Sequence, residues 1–308
     1  MSIELHGITH VALECSSPTR MERYLRDAFG MQLLRVGYWQ GEYVRVVGSP
    51  FDQRENPGFV HLYNRPFIPR GRLRYVAVGV RERDVDSVVG ELRARGYYDI
   101  DGEDIITAPE GLRIKLDSFT HPRPLPTNDP VTKMVEAETD PNLACLVRGV
   151  HHVAVDAGEP RNLFDWFAEP FGDRIEAHGD RRGDFFSGMH SKGPPDPIGR
   201  TPGPLVLVLR RDILGSQLNH IAFDMPDAEA AIDEIEFRGS KVDLAGDAMI
   251  QGPEEVWYQI DSRATPYPKG HLGNDPEVGL DAGPNAFKAR AWGVPHPGFA
   301  RARKGDGQ

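Results

Sequence analysis

The chain repeats itself. His10 and His152 stand 142 residues apart, as do Gly30 and Gly172, while Tyr75 and His220 are separated by 145, Gly96 and Gly239 by 143, and Lys115 and Gln259 by 144. A nearly constant offset held across a whole half marks a duplicated unit and restricts the chain to architectures with two equivalent halves. Each half repeats again. Four short β-like runs, GITHVALE at 7–14, LRYVAVGV at 73–80, GVHHVAVD at 149–156 and LNHIAFDM at 218–225, are each followed by a helical pattern. Val85, Val88, Val89 and Leu92 form an i, i+3, i+4, i+7 stripe, and Ala228, Ala231, Ile232 and Ile235 form its counterpart. Gly96 and Gly239 suit left-handed helix C-caps, and Ser17-Pro18 reads as a cap followed by a first-turn proline, with that helix ending near Gly30. A third helix is expected from about Pro160 to Gly172, with Leu163, Phe164 and Phe167 inward.

These patterns predict an α+β fold of four βαβββ modules, paired into two similar domains, each a curved mixed sheet with helices outside. The expected boundaries are 1–120 for the N-terminal domain, 121–147 for a Pro- and Asp-rich linker, 148–263 for the C-terminal domain and 264–308 for an extension. The short basic clusters RGRLR at 70–74 and RRDI at 210–213 read as solvated strand edges.

Composition narrows the function. A net charge of −10 argues against a nucleic-acid partner, which needs a concentrated basic surface. No apolar run reaches the length of a membrane span, MSIELHGITH lacks a signal-peptide pattern, and Cys15 and Cys145 are too few and too far apart for a disulfide scaffold. A cytoplasmic protein is the expectation.

Strand alternation then selects candidate site residues. In VHHVAVD, His152, Ala154 and Asp156 share one face, with Val153, Val155 and His151 on the other, so His151 is expected to be structural. In LNHIAFD, His220, Ala222 and Asp224 share a face, and in VWYQIDS so do Trp257, Gln259 and Asp261. Two imidazoles and an oxygen donor converging from three strands suit a divalent ion, with iron, zinc, nickel and manganese all chemically reasonable, and leave positions open for a bidentate substrate or dioxygen.

With four such modules and histidines on the first strands of the paired modules, the sequence resembles the vicinal oxygen chelate superfamily of glyoxalases, bleomycin-resistance proteins and extradiol dioxygenases. It is most similar to the two-domain extradiol ring-cleavage enzymes, over about 7–120 and 148–263. The resemblance implies a degenerate N-terminal half, with His10, Tyr75 and Lys115 at the matching positions, and a C-terminal half holding Fe(II) through His152, His220 and Gln259. It implies a small aromatic diol and O2 as reactants and a homo-oligomer as the assembly. A second ligand set, His10, His220 and Gln259 with His61 nearby, matches relatives that cleave hydroquinones. The sequence departs from the extradiol pattern in three ways. Gln259 stands where a glutamate is usual, with Glu254, Glu255 and Asp261 close by. The run PLVLVLRR offers no acid–base histidine, leaving His190 as substitute, and 242–256 contains neither histidine nor tyrosine. Two other readings therefore stand beside ring cleavage: a non-redox isomerase, epimerase or lyase of the same fold, and a metal-free small-molecule-binding protein.

Overall fold

The computed structural model describes residues 5, 7–49, 59–80, 85–97, 105–118, 147–160, 162, 163, 165, 166, 175–178, 186–190, 204–211, 213–243 and 248–262. The first module comprises β1 (Gly7–Cys15), α1 (Pro18–Phe29), β2 (Gln32–Trp39), β3 (Glu42–Gly48) and β4 (Val60–Asn64). The second comprises β5 (Arg72–Val80), α2 (Val85–Ala94), β6 (Ile105–Thr107) and β7 (Arg113–Ser118). In the third, β8 (Gly149–Ala157) leads into helical backbone at 160, 162, 163, 165 and 166 and then β9 (Ile175–His178), β10 (Phe186–His190) and β11 (Pro204–Arg210). The fourth holds β12 (Ser216–Asp224), α3 (Ala228–Phe237), β13 (Met249–Gln251) and β14 (Trp257–Asp261).

In every module the first strand pairs in parallel with the last: β1 with β4, β5 with β7, β8 with β11, and β12 with β14. The first strands of paired modules then run antiparallel, β1 against β5 and β8 against β12. One further antiparallel contact, Ile8 with Val150, joins all fourteen described strands into a single sheet. Those two residues differ by 150 − 8 = 142, the repeat offset itself, so each is the other's counterpart and an approximate two-fold axis passes between them. After α2 and α3 only two strands follow among the described residues, and the Asp243–Met249 bridge marks where a third would begin in the fourth module.

The apolar stripes read from the sequence face the core. Val85, Val89 and Leu92 of α2 and Ala228, Ala231, Ile232 and Ile235 of α3 are buried, and Val88 packs against them partly covered. Gly30, Gly96 and Gly239 take φ of 62°, 89° and 92°, the left-handed C-cap expected of each. Phe164 and Phe167 lie outside the described residues, while Leu163 is fully buried. Across the two-fold axis α1 reaches the fourth module. Phe29 packs edge-on against Phe223 and Tyr258, with ring centroids 5.1 and 5.5 Å away, and Tyr258 donates its hydroxyl to Met21 Sδ at 3.1 Å. The two halves thus share one core.

Two sequence expectations change here. Ser17 makes no side-chain cap on α1; instead its N–H (2.9 Å), the Ser16 N–H (2.8 Å) and the Ser16 hydroxyl (2.9 Å) all donate to the Glu254 carboxylate from the opposite half. Of the basic residues at 70–74, Arg70 and Arg72 are exposed, but Arg74 is not solvated: it is buried, paired with Glu42 at 2.5 Å and lying over the Tyr63 ring at 4.3 Å. The cap from Glu254 comes with tight backbone. Glu254 has φ 57° in the 3-10 turn Pro253–Glu255, its carbonyl accepts from Gly71 N–H at 2.9 Å, and a Cβ on Gly71 would fall 2.5 Å from Val256 Cγ2. The counterpart turn Pro109–Gly111 repeats the strain at Glu110 (φ 61°), facing Gly215.

Glu254→Ala is expected to lower stability by about 1–3 kcal/mol, because three donors lose a charged acceptor. Glu254→Gly should lose about 1 kcal/mol less, since glycine relieves the left-handed strain. Urea unfolding midpoints of the two variants check the order; equal losses would show that the strain carries no weight.

Candidate metal centre

The face of the sheet away from the helices forms two cups with different contents. In the N-terminal cup Leu34, Trp39, Val44, Val46, Tyr63, Tyr75 and Ile105 pack together, all buried, over His10 and His61. The His10 and His61 rings stack at 3.9 Å, and His10 Nε2 lies 3.4 Å from the Tyr75 hydroxyl. Lys115, at the position matching Gln259, places Nζ 5.7 Å from the Tyr75 ring centre and 5.8 Å from that of Trp39. Burial, helped by the nearby His61 and Lys115, holds His10 well below the usual imidazole range, so its ring stays neutral. A cup packed with aromatic rings and lined by an ammonium group repels a cation.

In the C-terminal cup the described wall is lighter: Ala154 and Leu207, with Leu209 beside them. Here the antiparallel ladder between β8 and β12 is broken twice. Leu218 pairs with Val155 and His220 with Ala154, so Asn219 is an extra residue; Ala222 pairs with His152 and Phe223 with Val150, so His151 is another. A β-bulge sets two residues against one and re-aims their side chains. The rule of alternation therefore fails at His151. Its Nδ1 lies 2.9 Å from Nδ1 of His152 and 3.5 Å from Asp261 Oδ2, which corrects the expectation that it faces away from the site. The N-terminal half has bulges at the matching residues, Thr9 and Arg74, and Thr9 Oγ1 lies 3.2 Å from His10 Nδ1 just as His151 abuts His152.

His152 and His220 meet: their Nε2 atoms are 3.1 Å apart. The strand register puts Gln259 beside Ala222 and Ala222 beside His152, so the three occupy one row across β14, β12 and β8, and Gln259 is buried. Imidazole nitrogens bind a divalent ion at about 2.1 Å, which sets two neighbouring corners of an octahedron about 3 Å apart. The separation of the two rings fits that spacing, and a buried carboxamide in the same row is a chemically suitable oxygen donor. His151, His152 and Asp261 form a second buried cluster whose ligand atoms lie within 4.8 Å of one another. It shares His152 with the first. Asn219 and His151 are site residues that periodicity did not single out, because both owe their positions to bulges, whereas Asp261 is the acid that strand alternation put on the face of Gln259. His190 ends β10, where it pairs with Pro204, and its side chain lies outside the described residues. His10 turns to His61 and Tyr75, and the ring that meets His220 is that of His152.

The parallel first-to-last pairing, repeated in four modules, is that of the vicinal oxygen chelate fold, and solved structures share it. An Mn(II)-bound glyoxalase from Novosphingobium aromaticivorans aligns with a TM-score of 0.56 at 14% identity, covering 90% of each chain. The 2,3-dioxygenase LapB from Pseudomonas sp. KL28 aligns at 0.57 and 13% identity, over 84% of this chain and 92% of its own. A variant of 4-hydroxymandelate synthase from Streptomyces coelicolor aligns at 0.52 and 14% identity, over 82% and 90%. No protein-family model matches the sequence, and no curated protein matches it. Identity at this level establishes the fold, while activity follows from the site. Among the described residues no helix is long and apolar enough to cross a membrane.

The buried His10 has a consequence for pH. The folded ring resists protonation, whereas the unfolded ring accepts a proton near its ordinary value of 6.5. Below that value the unfolded state binds more protons, so the stability present above it is lost as pH falls, by up to about 1.4 kcal/mol per pH unit. His10→Phe should flatten this acid limb in urea unfolding between about pH 5 and 7. An unchanged slope would place the titrating group elsewhere.

Proposed function

We propose that the chain is a metal-dependent extradiol-type dioxygenase, opening the ring of a catechol-like diol with O2 in the C-terminal cup. The approach of the His152 and His220 Nε2 atoms to 3.1 Å carries this reading, with Gln259 buried in the same row as His152. We assign the metal, Fe(II) first with Mn, Zn or Ni as other candidates, to His152, His220 and Gln259. When bound, the ion supplies Lewis acidity and a template for two adjacent substrate oxygens.

The protein's own contribution follows from its side chains. Two neutral rings and a carboxamide donate lone pairs without adding charge, so the site leaves the ion's charge available to an anionic substrate. Ala154 and Leu207 supply a small apolar wall for a flat ring to pack against. His190 at the end of β10 is the candidate to take a proton from the diol. The overall fold of a glyoxalase and the neutral donor set also favour a second reading, a lyase or isomerase that stabilises an enediolate.

Metal analysis of protein purified without oxygen should find about one divalent ion per chain. A catechol panel should then give a yellow ring-opened product, and His220→Ala should lose metal and product together. Gln259→Glu should bind Fe(II) at least about fivefold more tightly, since unit charges about 4 Å apart gain about 1–4 kcal/mol. Iron retained by His220→Ala would overturn the ligand set, and bound metal without product on any catechol would favour the lyase reading.

A further inference from the structure

Asn219 is one of the two extra residues in the β8–β12 ladder, and its position has a chemical result. Its Oδ1 lies 2.7 Å from His220 Nδ1, and its Nδ2 donates to Asp156 Oδ1 at 3.0 Å. Arg211 Nε holds the same Asp156 oxygen at 3.3 Å. A carboxylate paired with a guanidinium only accepts, so the amide must turn its NH2 group toward Asp156 and its oxygen toward the ring. An imidazole nitrogen facing an amide oxygen carries the hydrogen, which leaves Nε2 of His220 as the lone pair. That atom is the one 3.1 Å from His152 Nε2.

The N-terminal half serves as an internal control. Its counterpart of Asn219 is the bulged Arg74, that of Asp156 is Glu14, and that of His220 is Tyr75. Arg74 pairs with Glu14 at 3.5 Å and with Glu42, and Arg65 also pairs with Glu14, at 3.1 Å. Where the strand carries a phenol, the bulge holds a cation that closes an ion-pair network. Where it carries an imidazole, the bulge holds the residue type that can accept from the ring and donate to the carboxylate at once.

We infer that Asn219 is a positioning residue, oriented by Asp156 and Arg211, that locks His220 in the Nδ1–H tautomer and presents its Nε2 to the metal. This rests on the reading of His220 as a ligand. One proton arrangement then satisfies the cluster: His152 donates from Nε2 to His220 Nε2, and His151 Nδ1–H faces His152 Nδ1 and Asp261. His220 is therefore ready for an ion, whereas His152 must first move its proton to Nδ1.

The test uses the full chain with 15N-labelled histidine, freed of metal, and two variants. Long-range 1H–15N spectra are expected to show His220 as Nδ1–H and His152 as Nε2–H. Asn219→Leu, similar in size but unable to accept, should release His220 to a mixture of tautomers and weaken Mn(II) binding, followed by electron paramagnetic resonance, by about 10–100-fold. Asn219→Asp should keep the Nδ1–H form and restore Mn(II) affinity, and thermal unfolding should show all three proteins folded. His220 found as Nε2–H in the unsubstituted protein, or an unchanged His220 tautomer in Asn219→Leu, would overturn the role of Asn219. If the tautomers behave as stated while Mn(II) binds none of the proteins, Asn219 keeps its assignment and the metal reading fails instead.

Discussion

The antiparallel contact between the first strands of paired modules is the constraint on which this molecule depends. Because β8 lies against β12 and β1 against β5, each cup has two first strands at its centre and two last strands outside them. A perfect ladder would alternate side chains between helix face and cup face with no exception. The bulges at His151 and Asn219 break that alternation where the two rings meet, and they let four neighbouring side chains converge where a regular strand pair would supply two. The chemistry of the cup is thus a product of two extra backbone residues as much as of the histidines.

The duplicated halves share a scaffold and have divided their contents. The helix side of the sheet is one core common to both, tied across the axis by Phe29, Phe223 and Tyr258 and by the Glu254 carboxylate. The cup side is where they part: Trp39, Tyr63 and Tyr75 fill one, and Ala154 and Leu207 line the other. Lys115 and Gln259, at matching positions, express the same difference in charge. A cation on the strand that would supply an oxygen donor opposes a bound ion, and a neutral amide does not.

Much of this was legible in the sequence, for a physical reason. The offset between His10 and His152, the helix stripes and the C-cap glycines are local or periodic signals, and the fold keeps them intact. The face shared by His220, Ala222 and Gln259 followed from pleating alone and agrees with the observed register. What escaped was everything that depends on pairing between distant segments. His151 looks as if it belongs to the opposite face because a bulge has no reliable single-strand signature, and Asn219 looks like an ordinary residue before a histidine. Arg74 reads as a solvated edge because its carboxylate partners, Glu14 and Glu42, are brought in by other strands. Ser17 resembles an ordinary cap, and the acceptor that serves the start of α1 comes from residue 254.

The two-fold axis through Ile8 and Val150 has an evolutionary consequence. Surfaces that meet across such an axis occur twice, so the turn at Glu254 facing Gly71 has its counterpart in the turn at Glu110 facing Gly215. The hollows are not shared in this way: each belongs to one half, and what fills one places no demand on the other. A gene fused from two like copies can therefore freeze its seam while one basin drifts into plain ballast, and the other is left free to acquire new reactions without endangering the assembly that holds it.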